Sequence, residues 1–284
     1  MAGSMNTNGL KTLVLLALLT AIVLWIGTFW GTTGIVFAAI IVVLINVASI
    51  FWSDKITLSI YHAKEASDKE HRELHQMVQE VSQQAGLPKP KVYVIPSNNM
   101  NAFATGRSYK HSSIAFTKGI LERLSRSELK GVTAHEMAHI KNRDILISSV
   151  AAMIAGIISY VATMAQWAAI FGGFGGRDND GGGLIQLLVL IILAPIIALI
   201  IRMAISRTRE YSADATGAKI IRNPYGLADA LEKLERDPYP MRMGNQATEH
   251  LFISNPFKGR NMIKLFSTHP PTAERVKKLR GMRV

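Results

Sequence analysis

The 284-residue chain contains no cysteine. No disulfide can form, and cysteine usage leaves the redox compartment open. Any metal site must be assembled from histidine and carboxylate, because no thiolate is on offer. Acidic side chains are scarce beside basic ones, 20 against 32, which leaves a formal net charge of +12. Aromatic residues make up only 7% of the chain. They do not interleave with the basic residues in the pattern of a nucleic-acid-binding module, so no nucleic-acid partner is expected. No internal repeat is visible. The opening Met1-Ala2-Gly3-Ser4 reads as a vector scar ahead of a native Met5 and is set aside.

Hydrophobic residues, by contrast, reach 49%, and they are clustered. Four stretches are long and apolar enough to cross a bilayer, which takes roughly 20 residues. They are Leu10–Trp30, Thr33–Trp52, Ile145–Phe171 and Leu184–Ile205, and their only charges are Lys11 and Arg202, each near an end. The first exceeds a signal-peptide core and lacks an Ala-x-Ala site, so it reads as a retained anchor. Trp25, Trp30, Trp52 and Trp167 fall toward segment ends, where an interfacial aromatic belt places them. A buried hairpin of a soluble protein is the alternative for the last two stretches, and their length disfavours it.

Charge orients the spans. Lys55, Lys64, Lys69 and Arg72 follow the second; Arg126, Lys130, Lys141 and Arg143 precede the third; Arg207, Arg209, Lys219 and Arg222 follow the fourth. The links near Gly31 and over Gly172–Gly183 carry a single basic residue, Arg177. The basic excess is then topology, with residues 53–144 and 206–284 on the cytoplasmic side. The expected organisation is a scar and membrane hairpin (1–52), a first cytosolic part (53–144), a second hairpin (145–205) and a second cytosolic part (206–284).

In the first cytosolic part, Leu74, Met77, Val78 and Val81 recur at helical spacing, which predicts an amphipathic helix over Tyr61–Gln84, ended by Gly86-Leu87-Pro88. Lys91–Ile95, Asn101–Thr105 and Ser113–Phe116 read as short strands, with a turn at Gly106–His111. Ser125-x-x-Glu128 is a capping-box signature ahead of a helix that runs through Val132 to Ile140.

That helix carries His135-Glu136-Met137-Ala138-His139, an H-E-x-x-H pattern. Positions i and i+4 stack on one helix face, so both imidazoles can grip one metal while Glu136 is displaced toward the attacking water. A surface helix with incidental histidines is the bland alternative. A catalytic zinc takes three protein ligands and keeps one position open. The third must come from another histidine or a carboxylate, and Glu210-Tyr211-Ser212-Ala213-Asp214 stands out. Its acids share a face: Glu210 can complete a His-His-Glu site, and Asp214 can hold the far nitrogen of a ligand histidine. A solvated acidic pair is the alternative.

The order of these features, N-terminal membrane hairpin, H-E-x-x-H, second hairpin and the run Ser206-Arg-x-x-Glu210-x-x-Ala-Asp214, resembles the HtpX membrane proteases. More broadly it is similar to the gluzincin group that also holds the prenyl-protein proteases, which have more than four spans. Thr268-His269-Pro270-Pro271-Thr272 with Arg275 fits the same pattern. The resemblance implies a mainly α fold with a small β-sheet, four transmembrane helices and a cytosolic gluzincin-like zinc protease domain. It implies one Zn²⁺ per subunit on His135, His139 and Glu210, with Glu136 as general base. It also implies a stress-response role: cleavage of membrane or misfolded proteins in quality control, at a bacterial-type inner membrane with the active site facing the cytoplasm. His269 and Arg207, near these motifs, are the candidates for stabilising the oxyanion. Their alternatives are a structural turn before two prolines for His269 and an ion pair with Asp214 or another acid for Arg207.

Asn101, Ala102, Phe103, Ala104 and Thr105 form a small-residue stretch that reads as an exposed edge strand able to pair with a substrate backbone. The other histidines (His62, His71, His75, His111, His250) read as surface residues, and Asp144 as a group that caps or supports the site. A zinc-retaining scaffold without activity would lack Glu136, which is present. A transporter would need ionisable residues in its spans, which are nearly absent. Substrate identity and oligomeric state are not legible.

Overall fold

The computed structural model describes residues 7–28, 31–154, 207–241, 243, 246–256 and 269–284. Two long helices open the chain, α1 (Thr7–Gly27) and α2 (Gly31–Phe51). Within them, Asn8–Trp25 and Gly31–Phe51 are long and apolar enough to cross a membrane. Their outward side chains are apolar: Leu13, Val36, Phe37 and Leu44 are 55–64% exposed. Gly31, at φ 65, takes the left-handed turn between them that a side chain would resist.

A short helix α3 (Ser53–Ile60) follows. The helix expected over Tyr61–Gln84 begins only at Arg72, as α4 (Arg72–Ala85). The residues before it do other work. Tyr61 is buried, and β1 (Lys64–Glu65) adds an antiparallel strand to the sheet. All four apolar positions behind that expectation, Leu74, Met77, Val78 and Val81, lie in α4 and are buried. Gly86 ends the helix in a left-handed cap at φ 70.

β2 (Lys91–Ile95), β3 (Ala102–Ser108) and β4 (His111–Thr117) complete a four-stranded mixed sheet of order β1-β2-β4-β3. Thus β3 is an edge strand, antiparallel to β4 alone. A short α5 (Lys118–Arg123) leads to α6 (Arg126–Lys141), the H-E-x-x-H helix. Its capping box is complete: Glu128 N–H donates to Ser125 Oγ at 3.4 Å, and Ser125 N–H to Glu128 Oε2 at 2.7 Å.

After α6 comes α7 (Ile145–Ile154). Its Ile147, Val150 and Met153 pack against Leu15 and Leu16 of α1, joining α7 to the N-terminal hairpin. The rest of the third expected span and all of the fourth lie outside the described residues. Beyond them, α8 (Arg207–Ile221) and α9 (Tyr225–Glu235) pack on α6, and α10 (Thr272–Arg280) packs on both. The α6–α8 contact is close: a methyl group at Gly217 would stand 3.0 Å from the Ala134 carbonyl oxygen. The described residues are mostly helical with one small sheet.

Candidate metal centre

Three side chains from two helices converge. His135 Nε2 and His139 Nε2 are 3.2 Å apart, with ring planes at 90°. Glu210, from the first turn of α8, brings Oε1 within 3.4 Å of His139 Nε2 and Oε2 within 3.8 Å of His135 Nε2. Ligands on one tetrahedral zinc, at bond lengths of about 2.0–2.2 Å, stand about 3.3 Å apart. The donor set and its spacing therefore fit a metal such as zinc, and these three can hold a cation together.

Each imidazole is backed by its own carboxylate. Asp214 Oδ1 lies 2.9 Å from His135 Nδ1, and Asp144 Oδ2 lies 3.1 Å from His139 Nδ1. Such partners turn the Nε2 lone pairs toward the shared point. The sequence assigned this duty to Asp214 and left Asp144 undecided; the structure gives each aspartate one histidine.

The electrostatics follow from burial and pairing. Burial alone would raise Glu210, but His269, His139 and Arg275 hold it well below the usual carboxylate range. Burial would likewise raise Asp214, yet Arg275 and His135 bring it down to about 2. Burial pulls the His139 ring down, and the carboxylates of Asp144, Glu210 and Glu136 overcome it, so that it rises to about 9. Glu136, 2% exposed, is pushed up by burial. Its carboxylate accepts a backbone hydrogen bond from Ala104 of β3, which ties the candidate base to the sheet edge.

The sequence placed other residues less well. His269 does reach the site, with Nδ1 3.4 Å from Glu210 Oε2. Arg207 does not: it is exposed and absent from the cavity lining. The first turn of α8 faces Glu210 inward and Arg207 outward. The arginine beside the acids is Arg275, buried, with Nε and Nη2 on Asp214 at 2.8 and 2.6 Å. His250, expected on the surface, is buried and lines the cavity, with Nε2 3.2 Å from the Ser148 carbonyl oxygen. It sits in a 3-10 segment (Gln246–Leu251) that has no periodicity to betray it.

The strand Asn101–Thr105 is at the sheet edge as expected but is not exposed; these five residues are at most 6% accessible. The chain covers its own edge. Ile253 N–H donates to the Ala102 carbonyl oxygen at 3.2 Å, and Gly106 N–H donates to Ser149 Oγ at 3.2 Å. Asn101 Nδ2 donates to the Ser254 carbonyl oxygen at 2.8 Å. Phe252 packs edge-on against Tyr61 and Phe103, at centroid distances of 5.0 and 5.2 Å. The cavity over the three converging side chains has a volume of only about 30 Å³, the room of a water molecule.

Comparison with known proteins places the chain in a family. The profile described as peptidase family M48 matches residues 68–283. A protein of Syntrophotalea carbinolica described as "Protease HtpX homolog" is 51% identical over 280 residues, covering 98% of this chain and 99% of that one. One of Pyrococcus furiosus with the same description is 48% identical over 273 residues, covering 95% and 94%. Among solved structures, S. mikatae Ste24p superposes with a TM-score of 0.49 at 20% identity, over 96% of this chain and 65% of that chain.

Proposed function

The chain belongs to peptidase family M48 and is of the HtpX type, and on that premise we propose that it is a zinc-dependent endopeptidase of the membrane that cleaves membrane or misfolded proteins on the cytosolic side. That it is a metallopeptidase follows from the family. The observation that carries the finer reading is the convergence of His135, His139 and Glu210 on one point beside Glu136.

In this reading His135, His139 and Glu210 hold one zinc. When bound, the ion would polarise the scissile carbonyl and bring the pKa of the attacking water toward about 7. Asp214 and Asp144 fix the two imidazoles through their Nδ1 atoms. Glu136, anchored by the Ala104 N–H, takes the water's proton on its carboxylate and returns it to the leaving amine. Its raised pKa suits a group that must both accept and release a proton. His269, beside Glu210, is the candidate donor to the developing oxyanion.

Substrate would lie extended along Asn101–Thr105 as an added strand. Since Leu251–Ser254 already covers this edge, that segment must yield first. The two apolar helices anchor the enzyme, residues 145–205 form a second hairpin, and the basic flanks put residues 53–144 and 206–284 in the cytoplasm.

The decisive experiment pairs metal analysis of the purified full chain with cleavage of casein or a membrane protein, with and without chelator, for the parent and Glu136→Gln. The variant should retain its metal and lose cleavage. Undiminished turnover by Glu136→Gln sinks the mechanism.

A further inference from the structure

A second cavity, of about 350 Å³, opens where α1, the β3–β4 turn and the α6–α7 junction meet. Its lining includes Asn8, Thr12, Arg107, Tyr109, Arg143 and Leu146, and it contains no carboxylate. Among the described residues neither guanidinium has an ion-pair partner. Arg107 lies over the ring of Phe51, the last residue of α2, at 5.5 Å. Two cations thus border one cavity, and no carboxylate among the described residues lines it.

The cavity also has a defined depth. Leu10 and Leu13 of α1, and Phe51 and Trp52 at the end of α2, are 48–55% exposed. They form the rim of the apolar surface on the side where both helices leave it. A tryptophan at a span's end marks the headgroup level of a bilayer. Basic pockets beside membrane helices on the cytoplasmic side suit anionic lipid phosphates.

A third observation concerns the backbone. Arg143 adopts φ 60, a left-handed conformation that a side-chain-bearing residue takes only at a cost. Strain of this kind collects at binding sites. The turn it occupies presents Asp144: Asn8 Nδ2 donates to Asp144 Oδ1 at 2.7 Å, while Asp144 Oδ2 faces His139 Nδ1 at 3.1 Å.

We propose that this cavity binds the phosphate of an anionic phospholipid, held by Arg107 and Arg143, and that Asn8 and Asp144 connect it to His139. The lipid's acyl chains continue over the exposed faces of Leu10 and Leu13. A phosphate there orders the Arg143 turn and with it the carboxylate that orients His139. The proposal rests on α1 and α2 lying in a membrane, as read above.

The test uses the full chain in detergent and in vesicles. Native mass spectrometry with phosphatidylglycerol or phosphatidylcholine compares the parent, Arg107→Gln/Arg143→Gln, and Arg107→Lys/Arg143→Lys. The parent should prefer phosphatidylglycerol. The Gln pair should weaken that binding on the order of 30-fold, from about fivefold per basic residue, and the Lys pair should keep most of it. Amide exchange over residues 142–146 should slow with phosphatidylglycerol and not with phosphatidylcholine. Equal retention of phosphatidylglycerol by the folded Gln pair overturns the proposal. Displacement of the lipid by inorganic phosphate overturns it too, reassigning the cavity to a free anion. A parent chain that fails to enter vesicles of either lipid overturns the membrane reading itself, a result distinct from the loss of one headgroup preference.

Discussion

Arg275 grips Asp214 with two nitrogens, Nε at 2.8 Å and Nη2 at 2.6 Å, inside a site where both residues are at most 4% exposed. Its remaining nitrogen, Nη1, donates to the carbonyl oxygen of Ile253 at 2.9 Å. One guanidinium therefore joins the aspartate behind His135 to the segment lying on β3. Metal support and edge cover share a single buried cation.

This pairing has a pH signature. Asp214 titrates at about 2 in the folded chain against 3.8 ordinarily. A depressed carboxylate stabilises the fold above its unfolded pKa and loses that contribution as pH falls through the folded value. The metal-free protein should lose about 2 kcal/mol between about pH 4 and pH 2 from this residue. Thermal melts across that window should show a shallower decline for Asp214→Asn. Parallel curves would mean that the pair contributes nothing to stability.

The ligands and their supports should separate in metal affinity. Glu210→Ala should lose most bound zinc, since a primary donor goes. Asp214→Asn and Asp144→Asn should each weaken binding by about 10–100-fold, leaving the donors but loosening their rings. Zinc content at matched folding is the measurement. A Glu210→Ala variant with parental zinc would move the third ligand elsewhere, with His269, 3.4 Å from Glu210, the first to examine.

Opening the β3 edge should favour substrate. Asn101 holds the covering segment through two contacts, to Ser254 O at 2.8 Å and from Ser254 N at 3.4 Å. Losing hydrogen bonds worth about 1 kcal/mol in Asn101→Ala should lower KM for an extended peptide by roughly fivefold, with kcat little changed. A KM that is unchanged or higher in a folded variant would show that the cover does not compete with substrate.

The orientation is open to tagging. Reporters near Asn98 and at the C-terminus should lie in the cytoplasm, and one at Gly182 on the opposite side. Finding the Asn98 and Gly182 reporters together would remove the second hairpin.

Local patterns in the sequence carried far. The capping box at Ser125 and Glu128, the buried stripe of α4, the Gly86 stop and the strand Lys91–Ile95 all stand where spacing put them. Each is decided by residues within a few positions of one another. The convergence of His135, His139 and Glu210 was also legible, because the pattern that suggests it is chemical. What escaped was set by distant packing. Arg275 reaches Asp214 across 61 residues, and His250 reaches Ser148 across 102. The motif around His269 marked Arg275 without naming its partner, and His250 has no periodicity or neighbour to announce it. Arg207 misled because nearness in sequence to Glu210 does not say which way a helix end faces. Tyr61 was absorbed into a helix because its real partners, Phe103 and Phe252, are remote.

Under the proposed reading, in which substrate pairs with β3 in the membrane, the covered edge makes this enzyme its own competitor. An intramolecular segment acts at an effective concentration in the millimolar range for a short tether, and a rival must match it to gain the same backbone groups. A dilute soluble peptide cannot. A polypeptide confined to the same bilayer, with an unfolded stretch at the right height, can meet that threshold, because confinement raises its local concentration as the tether does for residues 251–254. Under the proposed reading, discrimination between a damaged membrane protein and the folded proteins around it then needs no sequence-reading pocket. It follows from which chains arrive concentrated and extended enough to displace Ile253 from Ala102.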